Sequence, residues 1–196
     1  MSMDEQELMS RVQAGDRHAF DELMSVYKDR IVNYLYQFTG DYQRAVELAQ
    51  ETFIRVYFKA GKYRPIAPVS SWIFAIASNL ARSDARRETR RATVPLDDIT
   101  NDYAVGAYSS DRTDSGLVRN LRQALEELPP RYRIPVILKD MEGFSQEEVA
   151  RIIRTPVGTV KARISRGRAR LRKKLEAALK SDDRVRECEE SENGRA

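Results

Sequence analysis

The sequence is poor in the residues that build disulfide frameworks and metal sites. It contains one cysteine, Cys188, and one histidine, His18, among 196 residues. Neither a disulfide framework nor a metal site made of several Cys and His ligands can be assembled from them. This scarcity fits a reducing compartment. We expect no metal and no other cofactor.

Long apolar runs and nucleotide-binding motifs are also missing. No stretch approaches the roughly 18 apolar residues of a membrane span. The N-terminal segment MSMDEQELMSRV is acidic and lacks the apolar centre of a signal peptide. We therefore expect a cytoplasmic protein with no membrane insertion. The phosphate-binding pattern G-x-x-x-x-G-K-[ST] is absent, so any remodelling of a nucleic acid must be driven by binding energy and not by hydrolysis.

Charge is abundant but unevenly distributed. The formal net charge is only +4, yet positive residues concentrate in Arg82–Arg91 and Lys161–Lys174. Between these blocks, residues 97–114 hold five aspartates and a single basic residue, Arg112. A basic–acidic–basic layout favours a polyanionic partner contacted at two places. Two solvated helix faces would produce the same layout without any partner.

Apolar side chains recur at steps of three and four residues over most of the chain, which predicts helices. The fold class we expect is all-α, with two small helical domains joined by a flexible linker. Residues 1–91 form the first domain, 92–116 an acidic linker, 117–180 the second domain, and 181–196 a polar tail that frays. The predicted helices of the first domain lie near residues 4–12, 20–38, 41–59 and 71–91. In the second domain, a predicted helix over residues 131–141 contains Pro135, which is tolerable only in a first turn.

The segment GFSQEEVARIIRTPVGTVKARISRGRARLRKK, residues 143–174, reads as two helices joined by a tight turn. Ser145 and Glu148 form a capping box that starts the first helix. Arg154 occupies the turn, where a left-handed backbone would cost about 1 kcal/mol. From Val157 to Leu175 there is no acidic residue. A helix of this kind commonly lies in the major groove of DNA, although basic amphipathic helices also bind membranes and calmodulin.

A resemblance extends this interpretation. The stretch LPPRYRIPVILKDMEGFSQEEVARIIRTPVGTVKARISRGRARLRKKL resembles region 4 of the extracytoplasmic-function (ECF) sigma factors of RNA polymerase, in the sigma-70 family. The blocks AGDRHAFDELMSVYKDRI, ELAQETFIRVYFKAGKYR and SSWIFAIASNLARSDARR resemble region 2 of the same family. The resemblance implies a bacterial sigma factor that binds core RNA polymerase and directs promoter-specific transcription initiation. It also implies that the protein is not an enzyme.

The resemblance implies partners and contact residues as well. The partners are promoter DNA, the clamp helices of the largest polymerase subunit, the flap of the second-largest subunit, and an anti-sigma factor. The residues expected to read the minus-35 element are Thr159, Lys161, Ala162, Arg163, Ser165, Arg166, Arg168 and Arg170. Those expected at the minus-10 element are Lys62, Tyr63, Arg64, Asn79, Arg82, Ser83, Arg86 and Arg87. Those expected to bind core polymerase are Glu47, Gln50, Glu51, Phe53, Ile54 and Arg55, with Phe53 turned into its own core.

Two alternatives remain at this point. A free-standing helix-turn-helix regulator would use residues 143–174 and never bind polymerase. A nuclease would need a cluster of acidic and histidine metal ligands, which the sequence does not offer.

The acidic linker resembles the segment that threads toward the polymerase active centre, but a plain tether would have the same composition.

Overall fold

The computed structural model describes the backbone of residues 4–93 and 116–193, and their side chains except at positions 89, 91–93, 117 and 178–193. Every regular element within these ranges is helical. In chain order the helices are α1 Glu5–Gln13, α2 Arg17–Thr39, α3 Tyr42–Lys59, α4 Val69–Thr93, α5 Gly116–Glu126, α6 Pro130–Val136, α7 Gln146–Ile153 and α8 Val157–Asn193. A short 3₁₀ turn, Ala60–Lys62, follows α3. The predicted fold class is confirmed.

Aspartate caps begin the first three helices. The side chains of Asp4, Asp16 and Asp41 each accept a hydrogen bond from a backbone amide in the first turn of the helix that follows. Such caps satisfy amide groups that have no partner within the helix, and each stabilises it by about 1 kcal/mol. Gly40, with a left-handed backbone at φ 74°, then ends α2. Local chemistry thus fixes where each of these three helices begins.

The core of the first domain lies between α2, α3 and α4. Tyr34 is fully buried there, and its hydroxyl group shares a 2.8 Å hydrogen bond with the hydroxyl group of Ser78. Phe53 is 7% exposed, which confirms the predicted inward orientation of its ring. Trp72 is partly buried against the same core, and its ring meets that of Tyr63 edge-on at 5.5 Å.

The second domain differs from the prediction at Pro135. The predicted helix over residues 131–141 ends as an α-helix at Val136 and continues as a π-helical turn, Ile137–Met141. Pro135 lies in the second turn of α6, so the expectation that it fits only a first turn is wrong. Proline has no amide hydrogen for the carbonyl group four residues earlier, and the wider turn that follows accommodates the missing bond.

The C-terminal tail also differs from the prediction, and the predicted linker before the second domain cannot be compared with the structure. The tail that we expected to fray from Ser181 is helical, because α8 continues to Asn193. The predicted linker lies outside the described residues between positions 94 and 115.

Among the helices of residues 4–93 and 116–193, none combines the length and apolar character needed to cross a bilayer.

The two domains pack against each other, which no sequence pattern predicted. The rings of Phe74 on α4 and Phe144 before α7 meet edge-on at 4.9 Å. Arg30 on α2 forms a 3.3 Å ion pair with Glu142, which follows the π-helical turn. The buried side chains of both domains therefore form one continuous apolar core.

Candidate nucleic-acid and polymerase interfaces

The capping box predicted for the helix-turn-helix is confirmed. The amide group of Glu148 donates to Oγ of Ser145 at 3.1 Å, and the amide group of Ser145 donates to Oε2 of Glu148 at 2.8 Å. These bonds favour the ionised carboxylate and lower the pKa of Glu148 below its ordinary value. The first turn of α7 is therefore fixed by its own side chains.

The turn between α7 and α8 is left-handed at Arg154. Its φ of 51° and ψ of 56° make it the one non-glycine residue with positive φ in the described part of the chain. The amide group of Thr155 then donates to the carbonyl group of Ala150 at 3.0 Å. This closed turn sets the angle at which α8 leaves α7, so the turn positions α8 and the predicted contact residues that it carries.

Helix α8 divides into a buried face and a basic outer face. Val160 and Ile164 are buried against the domain core. Arg163 is partly exposed. The other predicted minus-35 contacts are all exposed, namely Thr159, Lys161, Ala162, Ser165, Arg166, Arg168 and Arg170. The structure thus brings this whole predicted set to the surface of one helix.

Two of these cations already have partners within the protein. Nε of Arg168 donates to Oδ2 of Asp140 at 3.0 Å, and this bond raises the pKa of Arg168 further. The guanidinium group of Arg170 lies 5.0 Å from the ring centre of Tyr132. Within the described ranges, no acidic side chain pairs with Lys161 or Arg166. Among the exposed cations of the predicted set, these two side chains are therefore the ones without an acidic or aromatic partner.

The predicted minus-10 residues of α4 form one stripe along the helix. Asn79, Arg82, Ser83 and Arg86 follow helical spacing, so they lie on the same face. All of these except the partly buried Arg82 have exposed or half-exposed side chains, as does Arg87 beside them. A row of cations with interspersed hydrogen-bonding groups is the chemistry that tracks a nucleic-acid backbone.

Arg82 lies where this stripe meets the second domain. Its Nη1 donates to the carbonyl oxygen of Ile153, at the end of α7, at 3.5 Å. Burial lowers its pKa first, and the nearby charges of Arg86, Arg163 and Arg154 lower it further. The two basic surfaces therefore face each other closely, and their like charges repel.

The loop before α4 contains a correction to the predicted site. Lys62 and Arg64 are exposed, but Tyr63 is only 4% exposed. The hydroxyl group of Tyr63 donates to the carbonyl oxygen of Ala67 at 2.8 Å, and its ring packs on Trp72. Tyr63 anchors the loop from behind, so its ring is not available to stack on a base in this conformation.

On helix α3, some of the predicted polymerase contacts form ion pairs with neighbouring side chains, and others are exposed. Glu47 pairs with Arg44 at 2.6 Å, and Glu51 pairs with Arg55 at 2.7 Å. Gln50 and Ile54 are exposed. Among the predicted contacts, the outward-facing side chains are therefore polar apart from Ile54, while the ring of Phe53 packs into the core behind them.

An apolar groove lies beside this face, between α2 and α3. Its volume is about 710 Å³, and Phe58, 79% exposed, lines it. The other apolar side chains of the groove are Phe20, Met24, Val32, Val46, Ala49, Phe53, Ile54 and Tyr57. Sequence reasoning missed this groove. The signal that could have found it was that Ile54, Tyr57 and Phe58 are large apolar residues at consecutive turns of α3.

The described ranges contain no group of three or more His, Cys, Asp or Glu side chains placed to hold a metal ion. The geometry instead combines a capped helix-turn-helix with a second basic stripe and an apolar groove. The fold and these surfaces define a two-domain, all-helical DNA-binding protein.

Known proteins resemble the chain in both halves. The pattern of Sigma-70 region 2 matches residues 23–91, and that of Sigma-70 region 4 matches residues 119–171. The RNA polymerase sigma-H factor of Pseudomonas aeruginosa is 32% identical, with 90% of this chain and 96% of that protein aligned. The ECF RNA polymerase sigma factor SigW of Bacillus subtilis is 33% identical, over 85% and 94%. In fold, the chain is similar to the sigma factor RpoE of Bartonella quintana, solved with the anti-sigma factor NepR, at a TM-score of 0.66, 24% identity and coverage of 80% and 96%.

The chain belongs to the extracytoplasmic-function sigma factors of RNA polymerase, within the sigma-70 family. The predicted family is therefore confirmed. Sigma factors are in general DNA-binding initiation factors. Membership favours the sigma-factor hypothesis over a free-standing regulator, because both regions occur in order in one chain.

Proposed function

We propose that this sigma factor binds core RNA polymerase in the cytoplasm and directs it to a specific set of promoters, without catalytic activity of its own. The observation that supports this most is the occurrence of regions 2 and 4, in that order, on the two domains. A free-standing regulator needs only the helix-turn-helix. An initiation factor also needs a surface for polymerase and a second surface for DNA, and the first domain offers both.

The polymerase surface that we propose is the groove between α2 and α3 together with its polar rim. The apolar floor suits the apolar face of a helix, and the Glu51–Arg55 pair with Gln50 supplies the hydrogen-bonding edge. An amphipathic helix laid in an apolar groove is a common recognition mode. The occupant that we propose is the clamp helices of the largest polymerase subunit, while the second domain contacts the flap of the second-largest subunit.

The DNA surfaces that we propose are the outer face of α8 for the minus-35 duplex and the stripe of α4 with its preceding loop for the minus-10 element. Arg and Lys side chains pair with guanine edges or with phosphates, so α8 can read sequence as well as bind. Two linked contacts give a selectivity that neither has alone. We also propose that an anti-sigma factor holds the protein inactive by covering these surfaces.

Run-off transcription tests the function directly. Purified core polymerase is mixed with this chain and with promoters found by mapping the start sites of transcripts that rise on its overexpression. The expected result is a promoter-dependent product only when the chain is present. No such product, together with operator binding and no retention of polymerase in a pull-down, would establish the free-standing regulator instead.

Replacement of Phe58 tests the docking surface. Because this ring is 79% exposed, Phe58→Ser should leave the melting temperature unchanged. Loss of a central aromatic contact should weaken binding to core polymerase by about 2 kcal/mol or more, measured by fluorescence anisotropy. Val26, 53% exposed on α2 and outside the groove, provides the control as Val26→Ser. Equal affinities for all three proteins would show that polymerase docks elsewhere.

Arg166 tests the reading helix. If its guanidinium group contacts a base edge, Arg166→Ala should cost about 1–3 kcal/mol of minus-35 binding and relax the preference at one position. Arg166→Lys keeps the charge but loses the two-pronged contact, so it should relax the same preference. Binding is measured on a panel of single-base minus-35 variants. A uniform loss across the panel would make Arg166 a phosphate contact.

A further inference from the structure

The groove between α2 and α3 exposes apolar surface whenever polymerase does not cover it. On its α3 side, Phe58 is 79% exposed, Ile54 51% and Tyr57 39%. These are three of the eight large apolar side chains that are exposed in the described part of the chain, so exposure is concentrated on this one face. Extended apolar patches of this kind mark interaction sites in soluble proteins. The patch therefore favours an occupant of the groove in the free protein as well as in the polymerase complex.

Two opposite charges lie on the α2 rim of this groove without partners. Asp21 and Lys28 both line the groove, and both are exposed. Neither forms an ion pair with any other residue that the structure describes. They are seven residues apart, which is about two helical turns, so they lie on one face of α2 about 10 Å apart along its axis. Met24 lies between them and also lines the groove, so the rim has a negative end, an apolar centre and a positive end.

This order of charges is complementary to itself. A twofold axis that crosses α2 midway between Asp21 and Lys28 places the α2 helix of a second copy antiparallel to the first. Asp21 of each copy then lies level with the partner's Lys28, which gives two equivalent ion pairs. The two Met24 side chains meet near the axis, and the two grooves face each other. A parallel arrangement in the same register would place like charges level and is therefore disfavoured.

We propose that the free protein forms a twofold-symmetric dimer through this groove, with a second copy of the chain as the occupant. Phe58 of each copy packs on the apolar lining of the other, as an exposed aromatic anchor does in a typical interface. The dimer covers the surface that we propose for polymerase, so the two assemblies exclude each other and the dimer is an inactive store. Only this exclusion rests on the proposed function, because the dimer itself needs no polymerase.

Charge exchange on the rim tests the dimer and its register. Asp21→Lys leaves two lysines on each rim and Lys28→Asp leaves two aspartates, so each variant alone opposes like charges across the axis. Sedimentation equilibrium of the full chain measures the dimer dissociation constant, which each variant should raise by about tenfold or more. An equimolar mixture of the two variants restores both opposite pairs. With a dye on one variant, the heterodimer should form with a dissociation constant within about threefold of the unmodified one.

Replacement of an apolar residue tests whether the groove itself is the interface. Phe58→Ser should raise the dimer dissociation constant by about tenfold or more, because it removes the aromatic anchor. Val26→Ser is the matched control, since Val26 is exposed on α2 but lies outside the groove, and it should change the constant by less than about threefold. Added core polymerase should convert the unmodified dimer into a complex that holds one copy of the chain.

The outcomes separate this inference from the proposed function. A protein that stays monomeric up to about 100 μM refutes the dimer, and run-off transcription still decides the function. A mixture of the charge variants that associates no better than either variant alone refutes the antiparallel register and with it the proposal. An unchanged dimer of Phe58→Ser also overturns it, because the interface then lies elsewhere. A polymerase complex that retains the dimer refutes the exclusion. Absence of polymerase binding in every variant refutes the proposed function and leaves the dimer standing.

Discussion

At the scale of single residues, Arg154 shows how the helix-turn-helix tolerates local strain. Its left-handed backbone brings Cβ close to the following carbonyl group, which costs about 1–2 kcal/mol for any residue except glycine. The buried side chains on either side of the turn, Ile153 and Val160, keep the conformation in place. The strain is thus offset by packing, and it can be removed without changing the fold.

We expect Arg154→Gly to stabilise the protein by about 1 kcal/mol relative to Arg154→Ala. The alanine variant is the matched control, because it removes the same charge near Arg82 but keeps Cβ. For a protein of this size, a difference of 1 kcal/mol corresponds to about 2–4 °C in melting temperature, which calorimetry resolves. Equal melting temperatures would mean that the turn carries no strain.

Residue positions were predictable where periodicity decides them and not where tertiary contacts decide them. Phe53 follows the apolar stripe of α3, so its burial could be predicted from spacing alone. Tyr63 could not be placed, because its burial depends on Trp72 and on the hydrogen bond to Ala67 across the loop. The spacing of Ile54, Tyr57 and Phe58 could have indicated one wall of the groove, but the opposite wall, which α2 supplies, is a tertiary feature.

At the scale of elements, α8 depends on a glycine for its approach to α6. A Cβ atom at Gly167 would lie 2.6 Å from Cγ2 of Val136 and 3.4 Å from the carbonyl oxygen of Tyr132. Branched Val136 is part of the buried core and has little room to move. Inside a helix, glycine is less favourable than alanine by about 1 kcal/mol, and the close packing of α8 against α6 explains why glycine occurs here.

We expect Gly167→Ala to destabilise the second domain by about 1–2 kcal/mol, because the overpacking cost exceeds the gain in helix propensity. Gly158, in the first turn of the same helix, supplies the control, because a Cβ atom added there would meet no neighbouring atom within 4 Å. Gly158→Ala should be neutral or stabilising by up to about 1 kcal/mol. Urea denaturation of both variants checks the difference. Stabilisation of both by similar amounts would contradict a close α6–α8 contact.

Helix bounds in the first domain were predictable to within a few residues, because capping aspartates and glycines mark them locally. The second domain was less predictable around Pro135. A π-helical turn needs the tertiary packing of buried Ile137 and Leu138 to hold it, and no local pattern encodes that packing. The length of α8 was missed for a different reason. The polar composition from Ser181 onward predicted a frayed tail, whereas the helix continues to Asn193.

At the scale of the whole molecule, the closed arrangement conflicts with simultaneous contact at both promoter elements. The names of these elements place them about 25 base pairs apart, or about 85 Å at 3.4 Å per base pair. In the structure, the ring of Phe74 on α4 touches that of Phe144, so the two basic faces adjoin. The 22 residues from 94 to 115 can span at most about 75 Å, and the domains themselves supply the remaining reach. Simultaneous binding of both proposed surfaces to their promoter elements would therefore require the domains to separate.

We expect this separation to be visible as a loss of energy transfer between two dyes. Cysteines at exposed Asp29 and Met141, next to the Arg30–Glu142 pair, carry the dyes in a Cys188→Ser background. Transfer should be high in the free protein, because the pair joins the domains, and should fall on addition of core polymerase and promoter DNA. Dyes at Asp29 and Gln43 lie within the first domain, so their transfer should stay constant. High transfer in a complex that still initiates transcription would contradict the need for opening, since both elements would then be bound by the closed form.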